Sequence, residues 1–232
     1  MKTIAVIPTY NEAPNIKQII FDVLNCGIDI DVLVVDDISP DGTYKIVEAI
    51  AKDNNRVHLL LRDKKKGRGY AGKDGFIKAI EMGAKYIVEM DGDGSHSPKY
   101  IPDFIKAIED CDVVIGSRYV INGKDEKRSL LRRLISNLSR CYLSFVLKTK
   151  VKDPTSGYRM FKREALQKFA HILIANDQFI VTEVLYQIKK NNLKIKESPI
   201  VFLERFSGKS KLHTTTLITY LFKALKLRAM GK

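Results

Sequence analysis

Two carboxylates two residues apart, Asp91 and Asp93, close an apolar run that begins at Tyr86. Such a run predicts a buried strand, and open α/β sheets bind their ligands at the carboxyl ends of their strands. Carboxylates this close repel each other unless a cation lies between them, and the pair leaves most of a coordination shell open. That arrangement suits Mg2+ or Mn2+ bound to a diphosphate. The alternative is a turn whose acidic side chains are only solvated.

Polar residues follow five predicted strands at the point where each strand ends. The apolar runs span 3–8, 31–35, 57–61, 86–90 and 113–115, with helix-like periodic segments between them and a further strand near 199–203. This alternation predicts an α/β fold with a Rossmann-like, doubly wound, mostly parallel sheet. In such a sheet one crevice would be lined by the polar segments 9–12, 36–37, 62–63, 91–93 and 117–118.

The segment 36–43 closes the second predicted strand and opens a helix. Asp41 and Thr43 have the side chains of helix N-caps, and we predict capping for both. Asp37 lies at the strand tip, where a carboxylate can accept hydrogen bonds from a base or a ribose. Asp37 is therefore the candidate binding residue of this segment.

The glycine-rich segment 67–74 matches two phosphate-binding patterns, GxGxxG and most of GxxxxGK[ST]. Asp74 replaces the hydroxyl that a P-loop uses on Mg2+, and the segment follows the third strand, whereas a dinucleotide fingerprint follows the first. Neither pattern therefore holds. We expect a flexible basic loop beside a phosphate site, and the alternative is that its lysines are only solvated.

Two further polar residues receive structural interpretations. A calcium loop that began at Asp91 would need glycine at its sixth position and glutamate at its twelfth, where the chain has His96 and Pro102. We interpret His96 as a turn residue. Glu183 is interpreted as a carboxylate on the surface of a helix.

The chain of 232 residues has a net charge of +13 at pH 7, which calls for an anionic partner. Arginines and lysines set in loops rich in glycine and serine suit the chelation of phosphate oxygens. The candidates are Arg118, Arg205 and Lys211. Nucleic acid is not expected, because the basic residues are not interleaved with an aromatic platform.

Two amphipathic helices are predicted after residue 122. The first spans about 127–147, and one face carries Leu131, Leu134, Ile135, Leu138, Tyr142 and Phe145. The second begins at Thr214, and its apolar residues are Leu217, Ile218, Leu221, Phe222 and Leu225, opposite Lys223 and Lys226. Such helices either cover a core or lie flat on anionic lipid.

The cysteines and the chain's apolar stretches bear on its compartment. Cys26, Cys111 and Cys141 are widely spaced and form no CxxC pair, so the sequence indicates neither a disulfide framework nor a zinc site. No signal peptide is visible, and no uncharged apolar stretch approaches the roughly 20 residues that span a bilayer. We expect a cytoplasmic protein.

Five segments that occur in order resemble glycosyltransferase family 2: 8–12, 36–43, 91–96, 116–119 and 153–159. Through Arg205 and the pair Ser210 and Lys211, the chain is most similar to the members that transfer mannose to dolichyl phosphate. The resemblance runs from Pro8 to about Leu212. It implies a glycosyltransferase A fold, GDP-mannose as donor, a polyprenyl phosphate as acceptor, Mg2+ or Mn2+ as cofactor, and inverting transfer to a β-linked product.

The resemblance also implies roles for the matching residues and a division of the chain. The nucleoside would lie against Pro8, Tyr10, Glu12, Val35 and Asp37. The metal and diphosphate would lie on Asp91, Gly92, Asp93 and Ser95. The phosphates of donor or acceptor would face Arg118, Arg205 and Lys211. Residues 1–211 would form the catalytic domain, with an interface helix at about 127–147, and 212–232 a basic amphipathic tail.

Two other functions stay open at the level of sequence. One is transfer of glucose or another hexose from a UDP-sugar to the same lipid. The other is a noncatalytic, nucleotide-responsive protein that docks on membranes or RNA through its basic helices. A transferase would act peripherally at the cytosolic face of a membrane, through these helices or through a small membrane anchor subunit.

Overall fold

Seven strands form one sheet in the computed structural model, which describes residues 2–63, 67–125, 130–203 and 214–230, with the backbone alone at 130–135, 214–218 and 230. The strands are β1 (Thr3–Thr9), β2 (Asp31–Asp36), β3 (Val57–Leu61), β4 (Tyr86–Glu89), β5 (Val113–Ser117), β6 (Lys124–Asp125), β7 (Arg159–Lys162), β8 (Ile195–Pro199) and β9 (Val201–Phe202). The sheet order is β3-β2-β1-β4-β7-β5-β8, and β6 pairs with β9 separately.

Eight α-helices connect or follow these strands in the described part of the chain. They are α1 (Ala13–Leu24), α2 (Thr43–Asp53), α3 (Arg68–Glu81), α4 (Ile101–Ile108), α5 (Leu130–Leu147), α6 (Arg163–Gln167), α7 (Ile180–Lys190) and α8 (Thr214–Met230). None of these described helices combines the length and the apolar character that crossing a bilayer requires.

The strand directions confirm the predicted mostly parallel sheet. Strands β1 to β4 pair in parallel, as do β5 and β8, whereas β7 runs antiparallel between β4 and β5. The five apolar runs all became strands. The predicted strand near 199–203 was wrong in its bounds, because the ladder to β5 is made by Ile195–Pro199 and only Val201–Phe202 follows, in the second sheet.

The core has two layers because successive strand residues point to opposite faces of the sheet. In β1, Ile4 and Val6 join the cluster beneath α3, α5, α6, α7 and α8, whereas Ala5 and Ile7 join the cluster beneath α1, α2 and α4. These side chains have no exposed surface. The sheet is therefore held rigidly from both sides, and the loops at its carboxyl edge start from fixed points.

Among the side chains that the structure describes, the outer helices bury only part of the apolar faces that their sequences suggested, as Tyr142 of α5 does against the core. In α5 the buried residues are Leu143, Val146 and Leu147, while Leu138 and Phe145 are 63% and 77% exposed. The side chains of Leu131, Leu134 and Ile135 are outside the described part. The packing stripe of α5 thus lies to one side of the predicted stripe.

Helix α8 shows the same displacement. Ala224 is fully buried, and Lys223 donates to Asp177 at 2.6 Å, so this lysine faces the protein. Phe222 and Leu225 are 68% and 48% exposed, and the side chains of Leu217 and Ile218 are not described. Burial of Ala224, with Lys223 paired to Asp177 beside it, gives a helix orientation that amphipathic spacing alone did not predict.

Candidate active site

The loops after β1, β2 and β4 meet at one edge of the sheet, as predicted. Thr9 pairs in register with Asp36, and the Met90 amide donates to the carbonyl of Val6 at 3.1 Å. The three strands therefore end side by side. Asn11 and Ile38 follow two of them with positive φ angles of 62° and 51°, a conformation that costs free energy in residues other than glycine and clusters at functional sites.

Asp36 ties the first two loops together. Its carboxylate accepts hydrogen bonds from the hydroxyl of Thr9 and from the hydroxyl and amide of Ser39, all at 2.7 Å. The Ser39 hydroxyl in turn accepts the Asn11 amide at 3.0 Å. Asp36 is fully buried. It therefore shapes the crevice from beneath, a role that the sequence did not reveal.

Asp41 and Thr43 hold the starts of two helices. Asp41 accepts from the amide of Thr43 at 3.0 Å and from the amide of Ala13, the first residue of α1, at 2.9 Å. Burial alone would raise the pKa of Asp41, but these hydrogen bonds lower it below its usual value. The backbone N-cap of α2 is Gly42, at φ 83°, while the Asp41 side chain satisfies the helix amide. The capping prediction was therefore wrong, because neither Asp41 nor Thr43 is the N-cap residue of α2, although Asp41 accepts the amide of Thr43, the first residue of the helix.

Asp37 lies at the tip of β2 and carries the segment that enters α3. Its carboxylate pairs with the guanidinium of Arg62 and accepts the amide of Gly67 at 2.6 Å. The Nε of Arg62 also donates to Asp74 at 2.7 Å. Asp37 is only 3% exposed, and each of its two carboxylate oxygens already accepts a hydrogen bond from these partners.

The other residues predicted for the nucleoside differ in exposure. Pro8 and Val35 are paired in the β1–β2 register and are buried. Tyr10 is 43% exposed at the mouth of the crevice, and Glu12 accepts from the side-chain amide of Asn15 at 2.9 Å. Tyr10 is thus the exposed member of this set and Glu12 is half-buried, while Pro8 and Val35 are buried beneath them.

The twin acids lie on the turn after β4. The Oδ1 atom of Asp93 accepts the hydroxyl of Ser95 at 2.6 Å and its amide at 3.0 Å, while the side chain of Asp91 is 38% exposed. A Cβ atom added at Gly92 would lie 3.1 Å from Thr9 Cγ2, so the turn packs closely on β1. Ser95 in this arrangement orients Asp93.

His96 is a core residue of this turn. It is 3% exposed, its Nδ1 accepts the Asp91 amide at 3.0 Å, and its ring stacks on Tyr158 at 4.9 Å. Burial lowers the pKa of His96, outweighing the opposite effect of Asp91 and Asp93. The imidazole therefore accepts as a neutral ring and fixes the backbone at Asp91, which adds a specific contact to the predicted turn role.

Arg68 is a site residue that the sequence interpretation missed. Its Nη1 donates to Glu89 at 2.8 Å and its Nη2 to Asp91 at 3.4 Å. Burial alone would lower the pKa of Arg68, but the charges of Glu89 and Asp91 raise it above its usual value. The predicted loop at 67–74 was wrong for these residues, because α3 begins at Arg68. Lys64, Lys65 and Lys66 lie outside the described residues.

Two glycines dock the start of α3 against the segment before α7. The amide of Gly69 donates to the carbonyl of Asn176 at 3.1 Å. A Cβ atom added at Gly67 or Gly69 would overlap the carbonyls of Asn176 and Ala175. These glycines therefore serve close backbone approach instead of the phosphate contact that their spacing imitates.

Glu183 anchors that same segment. The prediction of a helix-surface carboxylate was wrong, since Glu183 is 2% exposed and accepts the amide of Ile174 at 3.0 Å and that of Ala175 at 2.9 Å. The two donor amides lie nine and eight residues before Glu183 in the sequence. Helical periodicity therefore could not predict these hydrogen bonds.

Replacing Glu183 by alanine should lower the free energy of unfolding by about 2–3 kcal/mol, because the amides of Ile174 and Ala175 lose a charged acceptor. Urea denaturation at neutral pH measures the change. Glu164→Ala is the matched control, since its side chain is 65% exposed and 3.9 Å from Arg163. A Glu183→Ala protein as stable as the control would contradict the anchoring role.

Arg118 is held by an acid from the motif at 153–159. Its Nε and Nη2 donate to the two oxygens of Asp153 at 2.8 and 2.7 Å, and Nη2 also donates to Thr155 at 2.8 Å. Burial alone would lower the pKa of Arg118, but the hydrogen bonds and charge of Asp153 raise it. The Nη1 atom lies 3.8 Å from Asp125. Arg205 and Lys211, the other predicted cations, lie outside the described residues.

Asp91 and Asp93 are suited to bind a hard divalent cation whose coordination shell is completed by a bound ligand. Asp91 and Asp93 offer carboxylate oxygens, the ligand type that Mg2+ and Mn2+ prefer. Within the part of the chain that the structure describes, no group of three or more His, Cys, Asp or Glu side chains is placed to hold a metal ion. A cation here would therefore take its remaining ligands from water or from a diphosphate.

Comparison with known proteins covers the whole chain. A family model described as "Glycosyl transferase family 2" matches residues 4–170. The chain is 33% identical over 234 residues to polyprenol monophosphomannose synthase of Mycolicibacterium smegmatis, covering 100% of this chain and 88% of that protein. It is 35% identical over 213 residues to undecaprenyl-phosphate mannosyltransferase of Micrococcus luteus, covering 91% and 88% respectively.

The fold is similar to that of solved structures. One is glucosyl-3-phosphoglycerate synthase from Mycobacterium tuberculosis in complex with Mn2+, uridine diphosphate and glucosyl-3-phosphoglycerate. The TM-score is 0.70 at 18% sequence identity, with 99% of this chain and 79% of that chain covered. This likeness concerns the fold alone, and it confirms the predicted glycosyltransferase A fold.

Proposed function

The chain belongs to glycosyl transferase family 2, and on that premise we propose that it transfers mannose from GDP-mannose to a polyprenyl phosphate such as dolichyl phosphate. Transfer would invert the anomeric carbon and give a β-linked mannosyl phosphate lipid. The observation that carries the proposal is the placement of Asp91 and Asp93 beside the loops after β1 and β2. The names of the two mannose-transferring relatives support the choice of sugar and of lipid class.

The proposed reaction needs no catalytic base, because the acceptor phosphate is already anionic at neutral pH. Positioning and charge neutralisation then dominate the rate enhancement. When bound, Mg2+ or Mn2+ on Asp91 and Asp93 would supply the positive charge that a departing diphosphate requires. Ser95 contributes by holding Asp93 through the 2.6 Å hydrogen bond.

The chain's other residues bind and orient. In this proposal Glu12 and Asp37 face the base and ribose, with Asp37 held in place by Arg62 and Gly67 and with Tyr10 at the mouth of the crevice. Arg205 and Lys211 face the phosphates in this proposal. Asp153 holds Nε and Nη2 of Arg118, so in this proposal Nη1, which lies 3.8 Å from Asp125, would face a phosphate.

A panel of radiolabelled donors with one defined polyprenyl phosphate tests the function. We expect label from GDP-mannose in the lipid product, dependent on Mg2+ or Mn2+, and little from UDP-glucose. Efficient transfer from UDP-glucose would replace the proposal by hexosyl transfer from a UDP-sugar. Binding of GDP or RNA without release of sugar from either donor would favour the noncatalytic alternative.

We also propose that α5 and α8 bring the protein to its lipid. Each helix carries exposed apolar side chains, which are Leu138 and Phe145 of α5 and Phe222 and Leu225 of α8. Exposed apolar side chains on helices that also carry basic residues suit the interface of an anionic membrane. The protein would then act as a peripheral enzyme at the cytosolic face.

Phe145→Ser and Phe222→Ser should each reduce flotation with anionic liposomes by about tenfold or more, since each removes an aromatic side chain worth about 1.5–3 kcal/mol when buried. Phe21→Ser on α1, at a side chain that is 38% exposed, is the control and should float like the parent. A parent protein that does not float would favour a small membrane anchor subunit instead.

A further inference from the structure

The guanidinium of Arg68 lies between two carboxylates of β4 and its following turn. Its Nη1 contacts Glu89 at 2.8 Å and its Nη2 contacts Asp91 at 3.4 Å. The side chain of Glu89 is 2% exposed and that of Arg68 is 14% exposed. The side chain of Asp91 is 38% exposed and is the most exposed of the three. A fixed cation thus lies directly beside a carboxylate that we assign to the metal.

A second buried arginine lies opposite Glu89 on the neighbouring strand. Arg159 stands opposite Glu89 in the β4–β7 register and has no exposed surface. Burial lowers the pKa of Arg159 to about 10, although the charge of Glu89 opposes this change. Glu89 is therefore a buried residue, and its carboxylate binds Arg68 from the side away from solvent.

The absence of a side chain at Gly72 makes room for the Arg68 guanidinium. A Cβ atom at Gly72 would lie 2.9 Å from Arg68 Nη1 and 3.3 Å from Glu89 Oε1. On the other side, a Cβ atom at Gly157 would lie 3.8 Å from Nη2. The guanidinium is thus enclosed at a fixed position, so its distance from Asp91 is set by the fold.

We propose that Arg68 competes with the divalent cation for Asp91, so that metal binding depends on the diphosphate of the donor. The inference rests on the metal site of the proposed function and deepens it. Like charges repel strongly where solvent is partly excluded, and a cation on Asp91 would be close to the guanidinium. The three carboxylates of Glu89, Asp91 and Asp93 carry one more charge than the two arginines described above, Arg68 and Arg159, so this cluster has a net charge of about −1. A divalent ion alone reverses the sign of that cluster, whereas an ion with a diphosphate does not.

Arg68 is accordingly a positioning residue with a predictable effect on affinity. In the empty site it holds Asp91 and weakens metal binding. With a nucleoside diphosphate present, the added negative charge offsets the guanidinium, and the ion binds more tightly. The metal and the nucleotide therefore enter as coupled ligands, each raising the affinity of the other by the same factor.

Binding of Mn2+ to the full chain, followed by electron paramagnetic resonance with and without GDP, tests the inference without any transfer reaction. Arg68→Gln should tighten Mn2+ binding without GDP about tenfold, or about 1.4 kcal/mol, and should shrink the effect of GDP. Arg68→Lys, which keeps the charge, should stay within about threefold of the parent. Glu89→Gln releases Arg68 toward Asp91 and should weaken Mn2+ binding.

The opposite signs of the Arg68→Gln and Glu89→Gln effects separate competition from a merely structural role, which would weaken binding in both. Lys78→Gln is the control on the same helix, since Lys78 is 45% exposed and paired with Glu81. Unchanged or weaker Mn2+ binding by Arg68→Gln overturns the inference. If that variant does not fold, unchanged or tighter binding by Glu89→Gln overturns it. A parent that binds no Mn2+ even with GDP overturns this inference together with the metal site of the proposed function.

Discussion

Asp93→Asn is expected to lower mannosyl transfer by about 10²–10³-fold while the protein stays folded. The amide keeps an oxygen that can accept the hydroxyl and amide of Ser95, so the turn should keep its shape. The negative charge that a divalent cation needs is lost, and electrostatic groups of this kind are worth about that much in rate. Initial rates with GDP-mannose and a polyprenyl phosphate, at several Mn2+ concentrations, measure the effect.

Asp103→Asn provides the control for that experiment. Asp103 lies on α4, its side chain is 61% exposed, and it pairs loosely with Lys106 at 3.7 Å. The control should keep full activity, and both variants should unfold at the parent's temperature. Turnover of Asp93→Asn within threefold of the parent would remove Asp93 from the metal site and with it the mechanism proposed above.

Asp153→Asn should lower the free energy of unfolding by about 3–5 kcal/mol, because breaking a buried ion pair leaves an uncompensated charge. Asp153 has no exposed surface, and its two oxygens receive Nε and Nη2 of Arg118. For a chain of this size, each kcal/mol corresponds to about 2–4 °C in melting temperature. Urea and thermal denaturation at neutral pH measure the loss.

The pH dependence of stability gives an independent test of the same pair. Burial alone would raise the pKa of Asp153, but the hydrogen bonds and charge of Arg118 lower it. A depressed folded-state pKa means that the ion pair stabilises fully above the unfolded pKa of about 3.9 and is lost as the pH falls through the lower folded value. Asp153→Asn should therefore lack this part of the acid-induced loss.

Asp110→Asn is the matched control, because its side chain is 78% exposed and lies 3.9 Å from Lys196. It should unfold like the parent at every pH. An Asp153→Asn protein within 1 kcal/mol of this control would show that the Arg118 pair contributes little to the fold.

The fold could be predicted from the sequence wherever burial on both faces of the sheet made a strand continuously apolar. Strands β1, β2, β4 and β5 are of this kind, and their ends correctly located the crevice. Strand β7 was missed because its first residue, Arg159, is charged, although the side chain is fully buried. The predicted position of β8 was too far along the chain, because β8 is an edge strand with one exposed side and contains charged residues such as Lys196.

The acids of the site could be predicted because they follow a strand directly, whereas their supporting partners could not. Arg68 contacts Glu89 across 21 residues, and Arg118 contacts Asp153 across 35. No local spacing encodes such contacts. The same reason explains Glu183, whose carboxylate turns inward to backbone amides of a preceding loop.

The reversed direction of β7 has a consequence for how the chain can diversify. All loops assigned to the nucleoside come from the first hundred residues, at the ends of parallel strands. Because β7 runs the other way, it reaches the same edge with its beginning, so the segment 153–158 joins the crevice from the second half of the chain. Under the proposed function, we therefore expect changes of acceptor to accumulate in that half while the nucleotide half keeps its geometry.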